Sequence, residues 1–205
     1  MELVPGSPFG PDDPVPDVRG VEDYVDRLDP KRFFVKGMFM QPIADALGGD
    51  FDAFRSWLLD PPRGRYVPFR DYPQHDHTRL LATLAERRHP DLTHAEGMRR
   101  LARKDFHVFA QSTLGRVILA MVGDARSALH HLPTVYAKVA PGDQRLVVET
   151  LDDGRIRIDY RPNHGVYAYQ LGQVEEIVRH FGAEPSTEVL LGADDVTRFV
   201  MTLGR

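Results

Sequence analysis

Nine histidines and no cysteine bound the chemistry open to this chain of 205 residues. Without thiols, disulfides, thiolate nucleophiles and cysteine-based zinc sites are excluded together. The histidines include two close pairs, His75-x-His77 and His130-His131. On a strand, residues two apart point the same way and could chelate. The first pair instead falls at a predicted helix start, where such residues diverge by about 200° at ~3.6 residues per turn. Adjacent residues do not readily share one ion, and HExxH and partner clusters at ligand spacing are absent. Both pairs therefore read as surface or capping histidines, and no metal is expected. The acid pairs Glu175-Glu176 and Asp194-Asp195 face different directions and read as solvated charge. Walker A, GxGxxG after a strand and GxSxG are missing, so no motif marks a catalytic residue.

The loop Arg161-Pro162-Asn163-His164-Gly165 is the most suggestive polar stretch. It joins a predicted strand to a predicted helix N-terminus, where the helix dipole and free N–H groups favour an anion. Arg161 and His164 add positive charge. A polar loop with a capping asparagine is the plainer reading of the same residues.

The elements that must position these groups follow from apolar spacing. Residues 1–20 carry five prolines, which forbid helix and predict an extended, solvated N-terminal arm. Residues 21–205 read as one domain. Val21 to Leu28 predicts a short helix. Phe34, Met38, Ile43, Ala46 and Leu47 predict a buried helix interrupted by Gly37 and Pro42. Phe51, Phe54, Trp57, Leu58 and Leu59 predict a second short helix with its apolar side inward. Gln74 to Arg88 is a helix with Leu80, Leu81, Leu84 and Ala85 inward. Thr93 with Glu96 is a capping-box pattern, followed by Met98, Leu101, Ala102, Phe106 and Phe109 at helical spacing. Leu114 to Val122 predicts a buried helix. Ala125 to His131 and Pro133 to Val139 predict two short ones. The period then changes to two. Leu146 to Leu151, an Asp153-Gly154 turn and Arg155 to Tyr160 predict a hairpin. A helix over Val166 to Phe181 and strands over Glu188–Leu191 and Thr197–Leu203 complete the chain. The sum is α+β: a mainly helical N-terminal part followed by an antiparallel ββαββ unit with a packed helix.

A net charge of −4 argues against nucleic acid as partner. No apolar run approaches the ~20 residues of a membrane helix. With no signal peptide and no cysteine, a cytoplasmic location is expected.

Several short motifs resemble an uncharacterised paralogous family of unknown function found chiefly in myxobacteria. They are VKGMF at 35–39, Tyr72-Pro73 with Leu80-Leu81, Leu101-Ala102-Arg103 with Phe106, Gly115-Arg116, Leu132-Pro133 with Tyr136, and Gly172. That family in turn resembles the haem nitric-oxide/oxygen-binding (H-NOX) sensor domains. VKGMFMQPIADAL stands at their first helix, and LARKDFHVFAQSTLGRVI resembles a later helix with its glycine. LHHLPTVYAKV resembles the segment bearing their haem-ligating histidine. VVETLDDGRIRIDYRPNHG resembles a hairpin ending in Tyr-x-Ser-x-Arg, which grips the haem propionates.

The resemblance implies a sensor or signalling module with a cavity between the N-terminal helices and the helix–sheet unit. Tyr136, Tyr160, Arg161 and His164 would be its polar contacts, and a small apolar or anionic molecule its ligand. The axial histidine position falls on Tyr136. Matching the clamp at Tyr160 puts Pro162 and His164 where serine and arginine belong. A clamp of this kind depends on a bidentate guanidinium and a hydroxyl, so haem is disfavoured. Tyrosine does ligate haem iron elsewhere, which keeps ligation by Tyr136 or a nearby histidine as an alternative. A protein-interaction or regulatory module without a small ligand, docking through the arm and the aromatic loop 63–73, is another.

Overall fold

Period-two sequence in the last third of the chain folds as sheet, and the 3.6-period segments before it fold as helices. The computed structural model describes residues 1–163, 165–193 and 195–204, so His164, Asp194 and Arg205 lie outside the described residues. In chain order the elements are β1 (Glu2–Leu3), α1 (Val21–Arg27), β2 (Phe34–Lys36), α2 (Gly37–Leu47) and α3 (Phe51–Phe54). Then come β3 (Asp71–Pro73), α4 (Gln74–Arg88), α5 (His94–Gln111), α6 (Thr113–Ala120) and α7 (Ala125–Val139). The chain closes with β4 (Arg145–Thr150), β5 (Ile156–Arg161), α8 (Tyr167–His180), β6 (Glu184–Leu191) and β7 (Thr197–Gly204).

The main sheet is antiparallel, in the order β1-β6-β7-β5-β4. Gly154 takes the positive φ of +83° that the β4–β5 turn needs, and Arg155 N donates to Asp153 Oδ1 at 3.0 Å. Ile156, Ile158 and Tyr160 of β5 are buried, as their alternation requires. Helix α8 packs along α5 and against β6 and β7, while α7 lies on β4. The fold is therefore α+β, with helices covering an antiparallel sheet. Among the described residues no helix is long and apolar enough to cross a membrane.

The arm departs from expectation. It is extended but not solvated: β1 pairs with β6, Phe9 bridges Thr187, and Val4, Phe9 and Val15 are buried. These apolar residues have no period of their own because each meets a different surface. Prolines also limit the unfolded arm's freedom, so ordering it costs less. Asp17 accepts from the free N–H groups of His94 (3.2 Å) and Ala95 (2.6 Å) at the start of α5. Thr93 caps the same end by accepting from Glu96 N at 3.1 Å. The Glu96 carboxylate does not return to the cap; it accepts from Val15 N and pairs with Arg100.

Other differences have local causes. The segment before Gly37 is strand, because β2 pairs with β3, a three-residue strand hidden in a proline-aromatic loop. A Cβ at Gly37 would sit 2.2 Å from the Val67 carbonyl, so the start of α2 admits only glycine. The α2 core face is accordingly Met40, Ile43, Ala44 and Leu47. Trp57 and Leu59 point outward, since after Phe54 the chain tightens into a 3-10 turn over Arg55–Trp57 and is extended from Leu58. Helix α6 is shorter than expected and exposes Val117. Helix α7 runs unbroken through Pro133, held on either side by fully buried Leu129 and by Tyr136 packed on Tyr160.

Two outcomes follow from this packing. Phe9→Ala should lower stability by about 3–5 kcal/mol in chemical denaturation; an unchanged midpoint would mean the arm is a free tail. Gly172→Ala places a Cβ 2.3 Å from the Arg99 carbonyl, so it must push α8 off α5. A loss of about 1–3 kcal/mol is expected, and a neutral effect would contradict the close approach.

Candidate functional site

The polar groups of the cleft come from three helices. His77 lies in the first turns of α4 and shares a face with Leu80, Leu81 and Leu84. Tyr136 lies in the last turn of α7. Tyr169, Gln170 and Gln173 follow one another on α8. Apolar residues of β2, α2, α4, α5 and α7 fill the walls, among them Val35, Phe39, Leu81, Met98 and Val139. The space they enclose is about 60 Å³. A second space of about 80 Å³ adjoins it, walled by Phe106, Phe109, Leu132, Val174 and Ile177. Phe39, Tyr136, Val139 and Gln173 line both, so these four side chains divide one cleft into two.

The aromatic walls are edge-packed. Tyr136 meets Tyr160 at 5.7 Å and 78°, and Tyr160 meets Phe199 at 5.7 Å. His77 meets Tyr169 edge-on at 5.7 Å. The Tyr169 hydroxyl donates to Asp105 Oδ2 at 2.8 Å. His77 is buried, and its Nε2 has no hydrogen-bond partner among the described residues.

Burial sets the ionisation of these groups. It drives the His77 imidazole down to about 4, so the ring is neutral at neutral pH. It raises Asp105 to about 6, partly offset by the Tyr169 hydrogen bond. It pushes the Tyr136 phenol up to about 12, partly offset by Gln170. Tyr160 and Tyr169 are raised further by burial, with Tyr136 adding to the first and Asp105 to the second. At neutral pH the imidazole and the phenols of the cleft are therefore uncharged, and Asp105 keeps a carboxylate held by the Tyr169 hydroxyl.

Of the residues expected from sequence, Tyr136 and Tyr160 are together. Arg161 is elsewhere: it is exposed and pairs with Asp159. Arg198 grips the same carboxylate at 2.6 and 2.9 Å. Those arginines hold Asp159 below the usual carboxylate range even though burial opposes them. His164 lies outside the described residues. The loop is organised by Asn163, which is buried. Its Nδ2 donates to Gln170 Oε1 (2.8 Å) and Thr197 Oγ1 (2.7 Å), and its Oδ1 accepts from Gly165 N (2.9 Å). Asn163 is not the N-cap of α8; that position is Val166 and has no side-chain cap.

His77 corrects the surface-or-capping reading of its pair. The signal was present, because 77, 80, 81 and 84 fall at i, i+3, i+4 and i+7. His130 does match it: exposed on α7, its Nε2 lies 3.0 Å from Thr150 Oγ1.

The fold, helices on an antiparallel sheet, is similar to that of solved H-NOX proteins. An H-NOX protein from S. oneidensis in the Fe(II)NO ligation state superposes with a TM-score of 0.64 at 15% identity, over 83% of this chain and 99% of that one. The Fe(II) unliganded H-NOX protein from K. algicida gives 0.61 at 19% identity, over 83% and 97%. A mutant of T. Tengcongensis H-NOX gives 0.61 at 20%, over 82% and 95%. At such identities the likeness establishes the fold alone. Residues 31–202 match the family described as a protein of unknown function, DUF2378, and the chain belongs to that family. No curated protein matches the sequence.

The two buried titrating groups oppose each other. His77, lowered by burial, contributes stability that is present above 6.5 and lost as pH falls through about 4. Asp105, raised by burial, contributes stability that is present below 3.8 and lost as pH rises through about 6. His77→Leu should therefore gain stability relative to wild type as pH falls from 6.5 to 4. Asp105→Asn should lose it over the same interval. Parallel urea midpoints for all three proteins would show that neither group is coupled to folding.

Proposed function

We propose that this chain is a non-enzymatic ligand-sensing or signalling module that keeps an H-NOX-like frame and has given up haem. The divided cleft carries this reading. Its spaces of about 60 and 80 Å³ are each well below the roughly 300 Å³ of an ordinary small-molecule pocket. A macrocycle needs one continuous slot, and Tyr136 stands across it. Tyr136 is packed edge-on against Tyr160, and burial pushes its hydroxyl up to about 12. His130 and His131 are exposed on α7. Arg161, committed to Asp159, is not placed to grip a propionate. The residues as folded do not fit haem, whereas a small uncharged molecule suits the lining. Together with the absence of catalytic motifs, this favours sensing over catalysis.

One observation favours a second reading, a protein-interaction module. The segment between α3 and β3 presents Trp57 at 61% and Phe69 at 74% exposure, with Leu59 and Val67 also outward. The arm, packed into the core, is not available for that role.

Adding hemin to purified full-length chain, then desalting, tests the primary reading. The expected absorbance spectrum has no Soret band. A band that survives desalting and is lost in Tyr136→Phe or in His77→Leu would overturn it and name the ligand.

A further inference from the structure

His77 is a buried polar group of the cleft with an unpartnered ring nitrogen. It is 6% exposed and lines the smaller space, and its Nε2 has no hydrogen-bond partner among the described residues. An unsatisfied buried polar atom of this kind is destabilising until a partner reaches it. We propose that the cleft binds a small neutral aromatic molecule bearing a hydroxyl, with that hydroxyl on His77 Nε2. This inference rests on the sensing-site reading above and deepens it.

Each part of that description comes from the site. The ligand is neutral because the walls are apolar, the groups beside His77 (Tyr136, Tyr169, Gln170 and Gln173) are uncharged, and Asp105, which lines the larger space, already accepts from the Tyr169 hydroxyl. A hydroxyl is favoured because it both donates and accepts. It satisfies neutral imidazole whichever ring nitrogen carries the proton. An aromatic ring is favoured by the ring walls: Phe39, Phe106, Phe109, Tyr136 and Tyr160 all line the larger space. Size agrees as well. Phe39, Tyr136, Val139 and Gln173 separate the two spaces. Turning the Tyr136 ring aside would join them into a volume close to the ~150 Å³ of an apolar cavity that accepts benzene. Tyr136 thereby becomes the moving part, and α7, which carries it, packs on β4 at the edge of the sheet.

The test is ¹⁹F NMR titration of the full chain with 4-fluorophenol and, separately, fluorobenzene. Wild type should bind the phenol about tenfold more tightly than fluorobenzene. His77→Leu should bind both alike, with an unchanged or higher melting temperature that shows it folds. His77→Gln, which keeps a donor and an acceptor at the site, should retain part of the preference. Equal binding of both probes to wild type, unaltered in His77→Leu, would overturn the role of His77 and leave a ligand-binding cleft standing. Binding of neither probe at millimolar concentration would overturn both.

Discussion

A fully buried guanidinium must have its donors satisfied, and at Arg99 that requirement ties together three parts of the chain. Arg99 Nε donates to Glu175 Oε2 at 2.8 Å, and Nη2 donates to the Gly10 carbonyl at 2.6 Å and to Glu175 Oε1. Nη1 donates to the Asp13 carbonyl, and Arg103 adds a second cation on Glu175 at 2.9 Å. Such a pair is weak evidence for net stability, because desolvation offsets the attraction, but removing one partner strands the other. Its consequence is geometric. Helices α5 and α8 are held at fixed register, with the glycine at 172 permitting contact, and the arm is drawn over them. That register sets Asp105 against Tyr169 and Met98 beside the cleft.

The site inherits its character from this arrangement. Four helices and the end of β5 bring five titratable side chains, His77, Asp105, Tyr136, Tyr160 and Tyr169, around one cleft. Burial pushes each toward its neutral form. Arg161, a charged group expected there, is diverted. Arg161 joins Asp159 and Arg198 on the sheet, and Asn163 spends its amide on ordering the loop. The frame is shared with H-NOX proteins at 14–20% identity, and the lining is this chain's own.

Much of the frame was legible because it depends on local rules. Helix α4 follows from its apolar face, the β4–β5 hairpin from Asp153-Gly154, and the start of α5 from Thr93. What was not legible depends on distant partners. Strand β3 exists only because Val35 pairs with Tyr72. The arm is ordered because Phe9 meets Thr187, 178 positions away by their numbers. Pro133 normally interrupts a helix, and only tertiary packing on both sides carries α7 through it. In the candidate site, Tyr136 and Tyr160 were expected through a family pattern, and their rings pack together. His77 was overlooked although its spacing with Leu80, Leu81 and Leu84 placed it inward. Asp105 and Tyr169 gave no signal, since their hydrogen bond joins two helices 64 residues apart in sequence.

We propose that an H-NOX-like frame here surrounds a cleft that takes no haem. Native mass spectrometry of full-length protein purified from haem-replete cells tests it most directly. The expected spectrum shows no species heavier than the bare chain by the mass of a haem. A stoichiometric haem adduct that survives gentle desolvation would contradict the claim.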